Sequence, residues 1–130
     1  MYPATSPLDE LAEALLRVAV ERPHNLVERL TDGDVGDVLG ELLPREAELL
    51  LVVDQFEELF TLTTDETERR RFLDVLTRLG TEQRSRARVV VTLRADFFDR
   101  PLGYAGFGEL LRKGMVPITV PSLESLAQAV

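Results

Sequence analysis

Asp54, Glu57 and Glu58 follow directly on five uninterrupted apolar residues in the run LLLVVDQFEELF, Leu49 to Phe60. Arg94, followed by Asp96, comes after a second, mostly apolar run, Val89 to Leu93. Carboxylates and a guanidinium delivered by two such runs form a set that phosphate hydrolysis uses. A carboxylate oxygen suits a hard magnesium ion held directly or through water, and Asp54 is the candidate for that task. A second carboxylate, Glu57 or Glu58, can orient an attacking water, and Arg94 can offset charge on a terminal phosphate. A structural reading stands beside the chemical one. Asp54 and Glu57 match a helix capping box, with aspartate as cap and glutamate three residues on. Arg94 taken alone reads as a surface ion pair to Asp96 or Asp99. The two readings are compatible, because a capped loop would also hold its carboxylates in place.

The elements that must position these residues are legible in outline. Leu49–Val53 and Val89–Leu93 read as strands buried on both faces, the habit of parallel sheets. A helical pattern lies between them at Asp65 to Leu79, with Phe72, Val75, Leu76 and Leu79 on one face and Asp65 and Glu68 as a capping box. Strand, helix and strand in this order predict a right-handed parallel crossover, which places both strand ends, and therefore the acids and Arg94, at one rim of the sheet. Upstream, Ser6-Pro7 opens a helix that Pro23 stops, and two shorter helices follow over Asn25–Thr31 and Asp34–Leu43. Downstream, RPLGYAGFG reads as a loosened stretch and Glu109–Lys113 as a short helix. Val116–Val120 alternates as a third strand in which Pro117 favours an edge, and Ser122 caps a final helix. Phe56, Phe60, Phe97 and Phe98 read as core packing where the chain folds back after the strands.

Composition narrows the chemistry further. A chain of 130 residues, 45% hydrophobic and 29% charged, suits one globular domain. It has no cysteine and a single histidine, His24, which excludes thiolate chemistry and two-histidine metal sites. A net charge of -8 argues against direct nucleic-acid binding. The first apolar stretch, Leu8 to Val20, is broken by Asp9, Glu10, Glu13 and Arg17, so neither a membrane span nor a signal peptide is expected, and the default location is cytoplasmic. Gripping a nucleotide calls for a glycine-rich loop ending in Gly-Lys-Ser/Thr. The sole lysine, Lys113, sits between Arg112 and Gly114 outside any such motif, and GYAGFG, Gly103 to Gly108, lacks the lysine and reads as a flexible turn.

With those residues in hand, the sequence resembles the novel STAND NTPases, a branch of the P-loop signal-transduction ATPases related to AAA+ and NACHT proteins. LLLVVDQFEELF is similar to the family's Walker B region, VVVTLRADFF to its sensor 1 strand, YPATSPLDELAEAL to the segment after its second strand, and VPITVPSLESLAQAV to its last core strand and helix. The resemblance implies an α/β fold: a partial P-loop NTPase core over residues 1–130, with a parallel sheet of about three strands near 49–53, 89–93 and 116–120 flanked by helices. It implies Asp54 as the magnesium-associated acid, Glu57 and Glu58 as secondary acids of which one polarises the attacking water, and Arg94 as the sensor 1 arginine. Gln55 stands where many AAA+ relatives carry the catalytic glutamate. Magnesium and ATP are the cofactors implied for the complete domain. The family's Walker A strand, loop and helix would precede Met1, so the chain is expected to be a fragment, or to be completed by another part of a larger signalling protein or a second subunit. Alone it is expected not to bind ATP usefully. A nucleotide-dependent oligomer accords with the family. Two alternatives remain: a non-catalytic regulatory or interaction module that keeps the fold, and a metal-dependent phosphohydrolase using Asp54, Glu57 and Asp96.

Overall fold

A computed structural model of the protein describes residues 1–114. The expected strand at 116–120 and the helix capped by Ser122 lie outside the described residues.

The helices form where apolar residues recur at helical spacing. α1 (Pro7–Val18) has proline in its first turn and buries Leu8, Leu11, Ala12 and Leu15, ending before Pro23 is reached. α2 (Leu26–Asp32) and α3 (Val35–Leu42) match the expected short helices to within a residue or so. α3 is capped by the Asp34 carboxylate, which accepts the Asp37 N–H at 3.1 Å. The C-terminal carbonyls of α2 are satisfied from outside. Arg78 donates to the carbonyls of Leu30, Thr31 and Gly33 at 2.6, 3.0 and 2.9 Å, tying α2 to the next long helix.

β1 (Leu49–Val53) occupies the expected span. A single-turn helix, α4 (Glu58–Thr61), precedes α5 (Glu66–Thr81), which buries Phe72, Leu73, Val75, Leu76 and Leu79. Asp65 caps α5 by accepting the Thr67 N–H at 2.9 Å, so the cap is present but without the reciprocal glutamate of a capping box. β2 (Ala87–Val91) then pairs with β1 in parallel, Leu49 opposite Ala87 and Val53 opposite Val91. The observed architecture is α/β, a two-stranded parallel sheet flanked by helices among the described residues.

Three expectations are corrected. β2 begins and ends two residues before the expected 89–93. A 3-10 turn ends at Arg86 in the left-handed region (φ 54°), and the Arg86 carbonyl accepts the Leu49 N–H at 2.9 Å, which starts the ladder at Ala87. Neither strand is buried on both faces. Leu51 and Val53 face the helices, whereas Leu50, Val52 and Val90 lie exposed on the opposite face at 63%, 41% and 47%. Lastly, the stretch that reads as a loosened loop is mostly helical, with α6 (Asp99–Leu102) followed by α7 (Ala105–Gly114). Phe107 anchors α7 in the core, and Gly108 permits a close crossing, since a Cβ there would meet the Leu102 carbonyl oxygen at 2.7 Å.

The core gathers around α5. Phe56 has no exposure and packs against Phe107 (ring centroids 5.3 Å), Phe60 (6.1 Å) and Phe72 (6.4 Å). Phe60 leans on this core, but Phe97 lies near the surface between the guanidinium groups of Arg94 and Arg100. No helix among the described residues is long and apolar enough to cross a membrane.

Candidate functional site

The parallel ladder brings the carboxyl ends of β1 and β2 side by side, and their contact continues past both strands. Thr92 N–H donates to the Val53 carbonyl at 3.0 Å, and Phe56 N–H donates to the Thr92 carbonyl at 2.8 Å. Gln55 adopts the left-handed region (φ 51°), a conformation that costs a non-glycine residue energy and needs support. The support is local. Its N–H lies 3.0 Å from Asp54 Oδ1 and 2.9 Å from Thr92 Oγ1, while Phe56 is buried one residue on. The turn carrying the acids therefore hangs between a two-strand hydrogen-bond clasp and an aromatic anchor.

Asp54 is held by Thr92. The Thr92 hydroxyl donates a short hydrogen bond to Asp54 Oδ1, and this bond, with the Gln55 amide and the Tyr2 hydroxyl assisting, keeps the carboxyl below the usual aspartate range despite some desolvation. The residue is thus ionised at neutral pH. Asp54 does not act as a helix cap. Its bond goes to the next residue, α4 begins only at Glu58, and the capping-box reading of Asp54 and Glu57 is not realised.

Glu57 and Glu58 have different surroundings. Glu58 Oε1 accepts the Ala4 N–H at 3.2 Å, and Thr63 Oγ1 donates to the Ala4 carbonyl at 2.9 Å. Ala4, at φ 53°, is thereby pinned to the acid turn. Upstream, the Met1 nitrogen donates to the Val52 carbonyl at 2.7 Å and its carbonyl accepts the Asp54 N–H at 2.8 Å, the two-bond pattern of a parallel bridge on the outer edge of β1. Glu58 therefore latches this N-terminal strap. Glu57 Oε2 is buried with no hydrogen-bond partner among the described residues. An orphaned carboxylate oxygen is costly and invites a donor or a cation.

Arg94 follows β2 as expected but turns to its own neighbours. It pairs with Asp96 at 3.2 Å, both side chains well exposed, and lies over the Phe97 ring at 5.9 Å. It makes no bond to Asp54, Glu57 or Glu58. The structure thus brings Asp54 together with Thr92, sets Glu57 and Glu58 on the adjoining turn, and leaves Arg94 and Asp96 as a surface pair. Sequence reasoning missed Thr92. The available signal was a hydroxyl residue at the end of a strand expected to neighbour the one bearing Asp54.

Among the described residues no group of three or more His, Cys, Asp or Glu side chains converges to hold an ion. An ionised Asp54 fits a magnesium ion that takes one carboxylate from the protein and draws its remaining oxygens from water and phosphates.

Fold and site together describe an α/β domain with an acidic turn at the carboxyl rim of a parallel strand pair. A family model for Novel STAND NTPase 1 matches residues 1–130, and the chain belongs to that family. No curated protein and no solved structure matched it.

Proposed function

We propose that this chain forms the acidic half of the nucleotide-hydrolysing core of a STAND-type signal-transduction ATPase. The observation that carries the reading is the Asp54–Thr92 clasp, an ionised carboxylate fixed at the rim where two parallel strands end. In a completed core Asp54 would hold magnesium, whose charge would be shared with the terminal phosphates of ATP. Glu57, with its unpartnered buried oxygen, is the better placed of the two glutamates to orient the attacking water, and Glu58 keeps the strap in register. Arg94, once released from Asp96, would offset charge on the terminal phosphate. The phosphate-gripping loop, for which these 130 residues contain no Gly-Lys-Ser/Thr, comes from another part of a larger cytoplasmic signalling protein or from a second subunit, possibilities that include a nucleotide-dependent oligomer.

The test has two arms. Isothermal titration of the chain alone with ATP and magnesium should give no micromolar binding. Joining to it, in cis or in trans, the phosphate-loop segment of a full-length family protein should produce magnesium-dependent ATP hydrolysis that Asp54→Asn abolishes. Hydrolysis indifferent to Asp54→Asn would overturn the assignment. The engagement of Glu58 by Ala4 and of Arg94 by Asp96 favours a second reading, a regulatory module that keeps the fold without the chemistry. That reading expects no micromolar binding in the first arm and no hydrolysis in the second.

A further inference from the structure

The strap ahead of α1 sets a third side chain beside the acid turn. Its bonds to Val52 and Asp54 are those of a parallel bridge that places Met1 opposite Val53. One residue on, Tyr2 therefore stands opposite Asp54. On the other side of β1, Val53 faces Val91, so Thr92 stands opposite Asp54 there. Residues opposite one another in a parallel ladder share a face of the sheet. Burial follows the same alternation. Pro3 and Val53 are buried and Met1 packs against the core, whereas Tyr2 is half exposed, on the open side where Val52 and Val90 lie. Tyr2, Asp54 and Thr92 thus form a row across the open face at the carboxyl rim.

Two hydroxyls flank one carboxylate in this row. Thr92 donates its short bond from the β2 side. On the strap side, neighbouring strands lie about 4.8 Å apart, a gap that a tyrosine side chain spans. The Tyr2 hydroxyl is the looser partner, adding to the larger effect of Thr92 in keeping Asp54 ionised. The backbone that carries Tyr2 is pinned on both sides. Ahead of it lies the bridge to β1. Behind it Pro3 is buried, and Ala4, in the left-handed region, is fixed by Glu58 Oε1 at 3.2 Å and Thr63 Oγ1 at 2.9 Å. An aspartate at an open rim otherwise samples several χ1 rotamers, and a donor on either side selects one of them.

We propose that Tyr2 is a positioning residue for Asp54, holding the carboxylate in one orientation from the strap while Thr92 holds it from β2. In a completed nucleotide core this arrangement would preset the oxygen offered to magnesium, a consequence that rests on the function proposed above.

The first measurement needs no nucleotide, so it succeeds or fails separately from that reading. Three-bond couplings from the backbone to Asp54 Cγ, which report χ1, and the Cγ chemical shift at neutral pH are recorded on the full 130-residue chain, on Tyr2→Phe, and on Tyr2→Phe combined with Thr92→Val. Tyr2→Phe keeps the ring and removes only the donor. The unaltered chain should show a single Asp54 rotamer. Tyr2→Phe should average the couplings and move the Cγ resonance, and loss of both hydroxyls should bring the couplings close to those of a free aspartate. A ring that serves packing alone would leave both readouts unchanged in Tyr2→Phe, and that result would overturn the proposal. So would averaged couplings in the unaltered chain. The second measurement uses the core completed by the phosphate-loop segment. There Tyr2→Phe should raise the magnesium concentration for half-maximal hydrolysis on the order of tenfold, with KM for ATP at saturating magnesium unchanged. An unchanged magnesium dependence would count against the proposal equally. If the completed core hydrolyses nothing while Tyr2→Phe frees the Asp54 side chain, the function proposed above falls and the positioning role stands.

Discussion

Replacing Phe56 by alanine tests whether the acid turn is held by the core beneath it. Phe56 lies two residues beyond Asp54 and one before Glu57, has no solvent exposure, and meets three other aromatic rings. Truncating such a side chain removes its transfer free energy and leaves a cavity, a loss of about 3–5 kcal/mol. An exposed phenylalanine would cost under about 0.5 kcal/mol, so burial decides the outcome. With a urea dependence of about 1.5 kcal/mol per molar, the unfolding midpoint should fall by about 2–3 M. That loss is a large part of a domain's total of about 5–15 kcal/mol, so Phe56→Leu, a smaller truncation that keeps most of the apolar volume and costs less than the alanine change, serves as a folded companion. In Phe56→Leu the Gln55 amide should also exchange faster than in the parent, since the left-handed turn loses part of its support. Urea titration followed by circular dichroism gives the midpoint. A shift below about 0.5 M for Phe56→Ala, at unchanged slope, would refute the claim that the turn is anchored through this ring.

Thr92→Val keeps the side-chain shape and removes the hydroxyl, so the Asp54 carboxyl should titrate at higher pH than in the parent, and Thr92→Ser should restore it; carboxyl carbon NMR reads this directly, and an unchanged titration in the valine variant would remove Thr92 from the site. Arg78→Ala strips three carbonyls at the end of α2 of their donor and should destabilise the domain by about 2–3 kcal/mol in urea titration, whereas a loss under about 0.5 kcal/mol would show that water replaces it. Arg94→Ala breaks only an exposed pair and should leave stability within about 0.5 kcal/mol, so that any loss of hydrolysis in a completed core reports on chemistry. The Tyr104 hydroxyl holds the Glu66 carboxyl below its usual range. A depressed carboxylate stabilises fully above its unfolded pKa and ceases to as pH falls through the folded one. Tyr104→Phe should therefore be less stable than the parent at pH 7, with the difference narrowing in acid; a difference that widens on acidification would contradict the hydrogen bond.

Local pattern determined much of this protein. Five apolar residues ahead of Asp54 were enough to place β1, and the spacing of Phe72, Val75, Leu76 and Leu79 was enough to place α5, because both periods are properties of the backbone alone. The family was likewise legible in DQFEE and TLRAD, short runs whose chemistry is carried by residue type. The tertiary structure decided what those runs touch. β2 is framed two residues early by Arg86 and Ser85, groups that mean nothing until Leu49 is alongside. The GYAGFG stretch reads as a turn, yet four of its residues enter α7, because burial of Phe107 and the close passage of Gly108 outweigh the low helical propensity of glycine. Asp54 was visible as an acid at a strand end, but its partner lies 38 positions away in sequence, and Arg94, visible at the neighbouring strand end, turned aside to Asp96. A strand pattern specifies that a side chain reaches the rim of a sheet; only the packing of the neighbouring strand and turn specifies which group it meets there.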